Sequence, residues 1–257
     1  MKLPGKDMWL WSVPLAIALL LWEFIAGYVV RDPLLLPRFS AVIFSIYALR
    51  GVLISDILVS LLHFGIGLGL AFAAALPLAI AMGWSRSIFK AIDPIIEVLR
   101  PIPPLAWIPI AMVWFHLTHY AAGFIIFIGA FFPILLDSYT GFRDVPRVLV
   151  ETGKVLGCIR DRKLIKYVAF PYALPFVATG TRVGMGVGWM CVVAAEMFGV
   201  SDSGLGYRLF QKFYFLHQMD YVVAYMLVLG LVALCLDRLF RHFVEDRLFK
   251  WKRGIVK

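Results

Sequence analysis

Charge is scarce in this chain. Asp, Glu, Lys and Arg make up 16% of its 257 residues and apolar residues 62%, whereas a soluble domain carries about 25% and about 45–50%. A mean hydropathy of +0.87 points the same way, so an ordinary soluble domain is excluded. Cysteine is scarcer still. Cys158, Cys191 and Cys235 are odd in number and far apart, and the last two lie inside apolar runs. That pattern argues against a disulfide framework or a metal cage and for small buried side chains. No G-x-x-x-x-G-K-[ST] loop occurs, so the chain is not itself a nucleotide-driven motor of that kind. His, Asp and Cys do not cluster at metal-ligand spacing. The one close pair, His116 and His119, lies between apolar runs without a neighbouring carboxylate, which weighs against a membrane-embedded enzyme.

What is abundant is apolar sequence in lengths that can cross a bilayer. A span needs about 20 such residues, and six segments qualify: 9–30, 57–83, 94–115, 121–138, 171–199 and 221–240. The first exceeds the 7–15 residues of a secretory h-region and lacks a clear cleavage site, so it reads as a retained span. The third is interrupted by Pro101, Pro103, Pro104 and Pro109. Residues 36–53 have helical apolar spacing with few charges and read as an amphipathic helix at the membrane surface. The fold class is therefore all-α: a polytopic membrane protein of about six transmembrane helices.

The net charge of +9 is explained by the membrane and not by nucleic acid. No basic patch is interleaved with aromatics in the manner of a single-strand binder. Nineteen Lys and Arg flank alternate ends of the spans, in residues 1–8, 84–100, 139–170 and 238–257. Only Arg31, Arg38, Arg50, Arg208 and Lys212 lie on the other side. The positive-inside rule then places both termini and the 139–170 loop in the cytoplasm. The chain divides into an N-terminal cytoplasmic end with the first span (1–35), an outer amphipathic segment (36–56), a core of five spans (57–240) and a basic cytoplasmic tail (241–257).

Within the 139–170 loop, Asp144 is placed to cap a helix that has Pro146 in its first turn. Val145, Val148, Leu149, Thr152, Val155 and Leu156 recur at helical spacing, an apolar face expected to lie against the membrane. Gly157 is suited to a left-handed cap, and Asp161 to capping a second short helix before Pro171. The loop thus reads as two short helices and a sharp turn. Elsewhere, Gly65, Gly67, Gly69 and Gly184, Gly186, Gly188 sit inside spans, where close helix packing explains them better than a dinucleotide loop.

Ionisable groups inside spans are costly and are weighed singly. Arg182 can lend positive potential to an anion pathway or pair with a carboxylate or helix end. Glu196, near the outer end of the same span, suits a structural hydrogen-bonding role. His63 reads as a satisfied packing histidine, and Glu23 as paired locally or turned into the bundle. Glu97 and Arg100 read as an intrahelical pair. Trp107, Trp114, Trp189, Phe131 and Phe132 read as core or interfacial belt. The pathway candidates are Arg182, Gly186, Trp189, Met190 and Glu196.

Residues 151–171, ETGKVLGCIRDRKLIKYVAFP, resemble the EAA loop of ABC-importer permeases: Glu and two small residues, three more, Gly, then a gap closed by an apolar residue and Pro. Thr152 stands for the usual first Ala, and Pro171 comes one residue late, with the extra residue expected within Cys158–Arg162. Four more blocks resemble one branch of that family: RPIPPLAWIPIAMVWF, GAFFPILLDSYTGFRDV, ALPFVATGTRVGMGVGW and VVAAEMFGVSDSGLGY. That branch serves nitrate, sulfonate, taurine and bicarbonate importers, with relatives for neutral vitamin precursors. The resemblance covers about residues 35–240.

It implies type I importer permease architecture and a homodimer in the inner (cytoplasmic) membrane. Two cytoplasmic ATP-binding subunits that hold ATP and Mg, and an extracytoplasmic substrate-binding protein, would complete the importer. The chain itself would be no enzyme and would carry no cofactor or metal. Glu151, Thr152, Gly153, Leu156, Gly157, Cys158 and Arg160 would couple it to the ATPase. A secondary transporter is the rival from another class; it calls for inverted repeats, and no convincing internal repeat is present. If the basic asymmetry sets the topology, a membrane-impermeant thiol reagent added outside cells labels Ser203→Cys and not Arg160→Cys. Labelling at position 160 overturns the map.

Overall fold

The computed structural model describes residues 8–245, and the basic residues at 2, 6 and 247–257 lie outside them. Helices account for all the regular structure among the described residues. Helix α1 (Met8–Phe24) continues through a π-helical turn to Val30. Then come α2 (Phe39–Ala48), α3 (Arg50–Trp84), α4 (Arg86–Leu99), α5 (Ile108–Phe115) and α6 (His119–Arg143). The 139–170 segment forms α7 (Arg147–Val155) and α8 (Asp161–Leu164), and α9 (Phe170–Met197) follows. Helix α10 (Leu205–Tyr207) is a single turn, and α11 (Met219–Phe240) is the last long helix.

Five of these helices are long and apolar enough to cross a membrane, or six if the bent pair Arg86–Leu99 and Pro104–Phe115 is one broken span. Four expected boundaries are corrected. The second span starts at Arg50 and not at residue 57, because Gly51–Asp56 continue the helical ladder directly after a break at Leu49. The amphipathic helix is correspondingly shorter than 36–53. The third expected span, 94–115, is two helices bent by 88°. Pro101, Pro103 and Pro104 lack the N–H that would carry the ladder across, and Pro103 is extended (φ −57°, ψ 137°) ahead of a 3₁₀ turn at Pro104–Trp107. The fifth span is not opened by Pro171: helix runs unbroken from Asp161 to Met197, 37 residues, with a π-helical turn at Ile165–Ala169 just ahead of the proline that loosens the ladder where its N–H is missing.

Helix α6 is the centre of the bundle. Its apolar window is 61% buried, against 28% for α3 and 44% for α9, which flank it. In lipid there is little hydrophobic drive between helices, so close approach through small residues must hold them together. On α3, Gly67, Ala71, Ala75 and Ala79 recur every fourth residue and are all buried. On α9, Gly180, Gly184 and Gly188 do the same. A Cβ on Gly184 would sit 3.0 Å from the carbonyl oxygen of Ala130, and one on Gly67 2.7 Å from that of Gly123. Only part of the expected glycine packing is present, because Gly65, Gly69 and Gly186 face open space.

Gly67→Val is therefore expected to overpack the α3–α6 contact and destabilise the fold by roughly 1–3 kcal/mol. Gly69→Val, on the open face, should not. Thermal unfolding of both variants in detergent or nanodiscs checks this, and equal midpoints would refute it.

Candidate functional site

Three groupings of side chains stand out: the turn after α7, the wall formed by α9, and a buried polar cluster at the opposite end of the bundle from that turn.

Helix α7 starts after Pro146, whose backbone is extended (φ −59°, ψ 133°), with no side-chain cap. Asp144 does not cap it, contrary to expectation. It ends α6 and accepts from Arg143 Nε at 2.8 Å, and the Arg143 guanidinium holds its carboxyl below the ordinary carboxylate range. The end of α7 matches the sequence. Gly157 has φ +93°, its N–H donates to Lys154 O at 3.0 Å, and the Cys158 N–H donates to Gly153 O at 2.9 Å. That pair of bonds is a Schellman cap. Asp161 does not cap the next helix: Arg160 occupies the cap position with extended backbone, and Asp161 is the first helical residue.

The apolar face of this segment points outward. Val155, Leu156 and Ile159 are 87%, 79% and 82% exposed, and Val148 is 70% exposed. No other part of the described chain covers these side chains, so the face expected to lie against the membrane is free to meet lipid or a partner. Gly153 alone of α7 is buried, held 2.8 Å (as a virtual Cβ) from Val168 Cγ2. Thr152 turns its hydroxyl back to Val148 O at 2.8 Å. Glu151 and Arg160 are exposed, and Cys158 is a half-buried free thiol. The irregularity of the segment lies beyond Cys158–Arg162, in a π turn at Ile165–Ala169 closed by Phe170 N–H to Ile165 O. An i→i+5 turn takes in one extra residue without breaking the helix.

Helix α9 presents different residues on different sides. Arg182 forms a fork with Asp237 of α11, at 2.7 Å from Nε and 3.2 Å from Nη2. Gly186, Trp189 and Met190 join that pair around a cavity of about 200 Å³, and Trp189 Nε1 donates to Leu229 O at 3.2 Å. Glu196 stands apart from this group. On another side, Val183 and Val187 face a cleft of about 620 Å³ that also exposes Arg100, Asp137 and Arg143. The sequence reading did not identify this cleft; its signal was the proline-broken segment, whose bend opens it. Glu97 and Arg100, expected to pair, form no ion pair. Glu23 is paired locally, as one reading had it: its carboxylate accepts from Ser40 Oγ at 2.8 Å and Ser40 N at 3.0 Å, tying α1 to the start of α2.

The third grouping is the most enclosed. Glu196, Ser60 and His63 are fully buried. Glu196 Oε2 accepts from Ser60 Oγ at 2.9 Å and from Gly206 N at 2.8 Å, while Ser60 Oγ accepts from Leu205 N at 2.9 Å. Oε1 lies 2.8 Å from His63 Nδ1, and His63 Nε2 lies 2.7 Å from His119 Nδ1. Gly204 (φ +120°) lies so close over the carboxylate that any side chain there would collide with it. A second knot adjoins it, with Arg208 and Tyr225 both donating to Asp56, the tyrosine at 2.7 Å. Burial works against the Arg208 charge, but the Asp56 carboxylate outweighs it and leaves the guanidinium pKa raised. His119 thus does find a carboxylate, through His63, which its sequence neighbours could not reveal.

Residues 65–248 match the family described as binding-protein-dependent transport system inner membrane component. A protein of Methanocaldococcus jannaschii named as an ABC transporter permease is 44% identical over 94% of this chain and 91% of its own length. The taurine transport system permease of Escherichia coli K12 is 32% identical over 92% and 87%. The nitrate import permease of Synechocystis is 34% identical over 74% and 68%. The chain belongs to this family: it is a multi-pass membrane permease of an ABC transporter, which works with ATP-binding and substrate-binding subunits and leaves ATP hydrolysis to a separate subunit.

Proposed function

We propose that this permease imports a small anion. The observation that carries the reading is the shared chemistry of its relatives' named cargoes. Beside taurine and nitrate, they include aliphatic sulfonates in Bacillus subtilis, at 30% identity, and bicarbonate in Synechococcus elongatus, at 34%. The working unit is a homodimer in the inner membrane, with the 139–170 loop on the cytoplasmic side.

The turn around Gly157 is the contact for the ATP-binding subunit, which holds ATP and Mg. Exposed Val155, Leu156 and Ile159 support this, since a bare apolar knob on a charged loop suits a groove on a partner. Glu151 and Arg160 flank it with opposite charges, Gly153 seats its helix on Val168, Thr152 ties its hydroxyl back to the preceding turn, and Cys158 closes its cap. Helix α9 is the wall of the route. Arg182 biases that route toward anions when its fork with Asp237 opens, Gly186, Trp189 and Met190 shape one side, and Glu196 braces the outer end.

The test is uptake into proteoliposomes holding the permease, its ATP-binding partner and its binding protein. ATP-dependent accumulation of taurine, an alkanesulfonate, nitrate or bicarbonate is expected. Accumulation of only a thiamine pyrimidine or riboflavin would overturn the anion reading. For the coupling turn, Gly157→Val forces a branched side chain into φ +93°, a strain of roughly 1–3 kcal/mol, and fills the groove contact. Gly230→Val makes the same change on an open helix face. Loss of ATPase pull-down and stimulated hydrolysis is expected for the first variant only, and wild-type coupling in Gly157→Val would remove the turn from this role.

A further inference from the structure

Glu196 is a carboxylate with no exposure, and an uncompensated buried charge is strongly disfavoured. Its ion partner is His63, not Lys or Arg. The Ser60 hydroxyl has one proton; because the oxygen accepts from Leu205 N–H, that proton goes to Oε2, beside the Gly206 N–H. Two gaps remain, Oε1 to His63 Nδ1 and His63 Nε2 to His119 Nδ1. Each is bridged by one proton. With both filled and no further proton, the three groups carry a net negative charge. One more proton, placed on the free Nε2 of exposed His119, makes that ring an imidazolium and balances the carboxylate without moving a heavy atom.

We propose that the His63–His119 pair is a proton-binding site, filled from water at His119, whose proton balances Glu196 and keeps the turn 199–206 seated on it. The groups around it leave this proton little else to answer to. Helix α9 contributes Glu196, α6 contributes His119, and the turn contributes backbone N–H groups. The next charges along α3 and from α11 are closed on themselves, as Asp56 with Arg208 and Tyr225. Of the ionisable side chains, histidine is the one that ordinarily changes charge between about pH 5 and 8. Losing the proton leaves the buried carboxylate unbalanced. Gaining a second puts a hydrogen on both facing nitrogens and parts the rings, so the contact between α3 and α6 at this end is strongest at intermediate pH. Which compartment supplies the proton rests on the orientation proposed above, whereas the site itself does not.

The test uses the full chain in lipid bilayers with ¹⁵N-histidine. Over a pH series solid-state spectra should show one imidazole–imidazolium pair sharing a proton, and His119→Gln should lose it. In more acidic buffer the pair should become two separate imidazolium signals. In parallel, spin labels on Thr118→Cys and Asp202→Cys, with the three native cysteines replaced, should give a single sharp distance near neutrality. That single distance should be lost in acid and, at every pH, in His119→Gln. The proposal is overturned if no imidazole–imidazolium pair appears at any pH at which the chain stays folded, or if the label distance ignores acid in the wild type. It also falls if His119→Gln retains the wild-type response. His119 is exposed, so its variant does not depend on refilling a core site.

Discussion

Helix α6 touches α3 on one side and α9 on the other closely enough for backbone to meet side chain without a spacer. Oil-like side chains gain nothing by leaving lipid, so this contact rests on shape and dispersion, and small residues every fourth position supply the shape. The rest of the structure follows from it. Ile126 and Ile134 can wedge against Gly67 and Gly184 only because those positions lack a side chain. Ser60, His63, His119 and Glu196, from three different helices, reach hydrogen-bond distance only because the helices above them are already drawn together. The cavities on either side of α9 are what remains where the close packing stops.

Much of this was legible in the sequence, for physical reasons. A bilayer requires each crossing segment to satisfy its own backbone and to be about 20 apolar residues long, so five of the six expected spans have their counterpart helix. Gly157 was legible because a helix cap with positive φ favours glycine. What was not legible depended on partners far away in sequence. Nothing near Asp56 says that Arg208, 152 positions later, will hold it. Nothing near His119 points to Glu196, 77 positions later. The periodicity of α7 reports that a face is apolar and cannot say what covers it. The prolines of 101–104 marked a break, but its angle is set by packing against α6.

The two ends of the bundle are built from opposite materials. The loop end exposes apolar side chains beside charged ones and has few internal ties beyond the seat of Gly153 on Val168. The other end buries its polar groups and ties the 199–206 turn down by backbone N–H donors to Glu196 and Ser60. A surface of the first kind suits a partner that comes from solution, and an enclosure of the second kind suits a closure that must hold until it is released. Both ends are carried by a single helix.

That helix has a geometric consequence. From Asp161 to Met197 it is a continuous rod of about 55 Å at 1.5 Å per residue, longer than the hydrocarbon layer, with Gly157 just before its foot and Glu196 at its head. Helical throughout, although Pro171 and Pro175 supply no N–H to its ladder, it can transmit thrust and tilt but can scarcely shorten. A tilt of about 5° about the foot carries the head sideways by about 5 Å over that length, more than any hydrogen bond in the cluster could follow. The widened turn at Ile165–Ala169 is the one place near the foot where such a lever can flex.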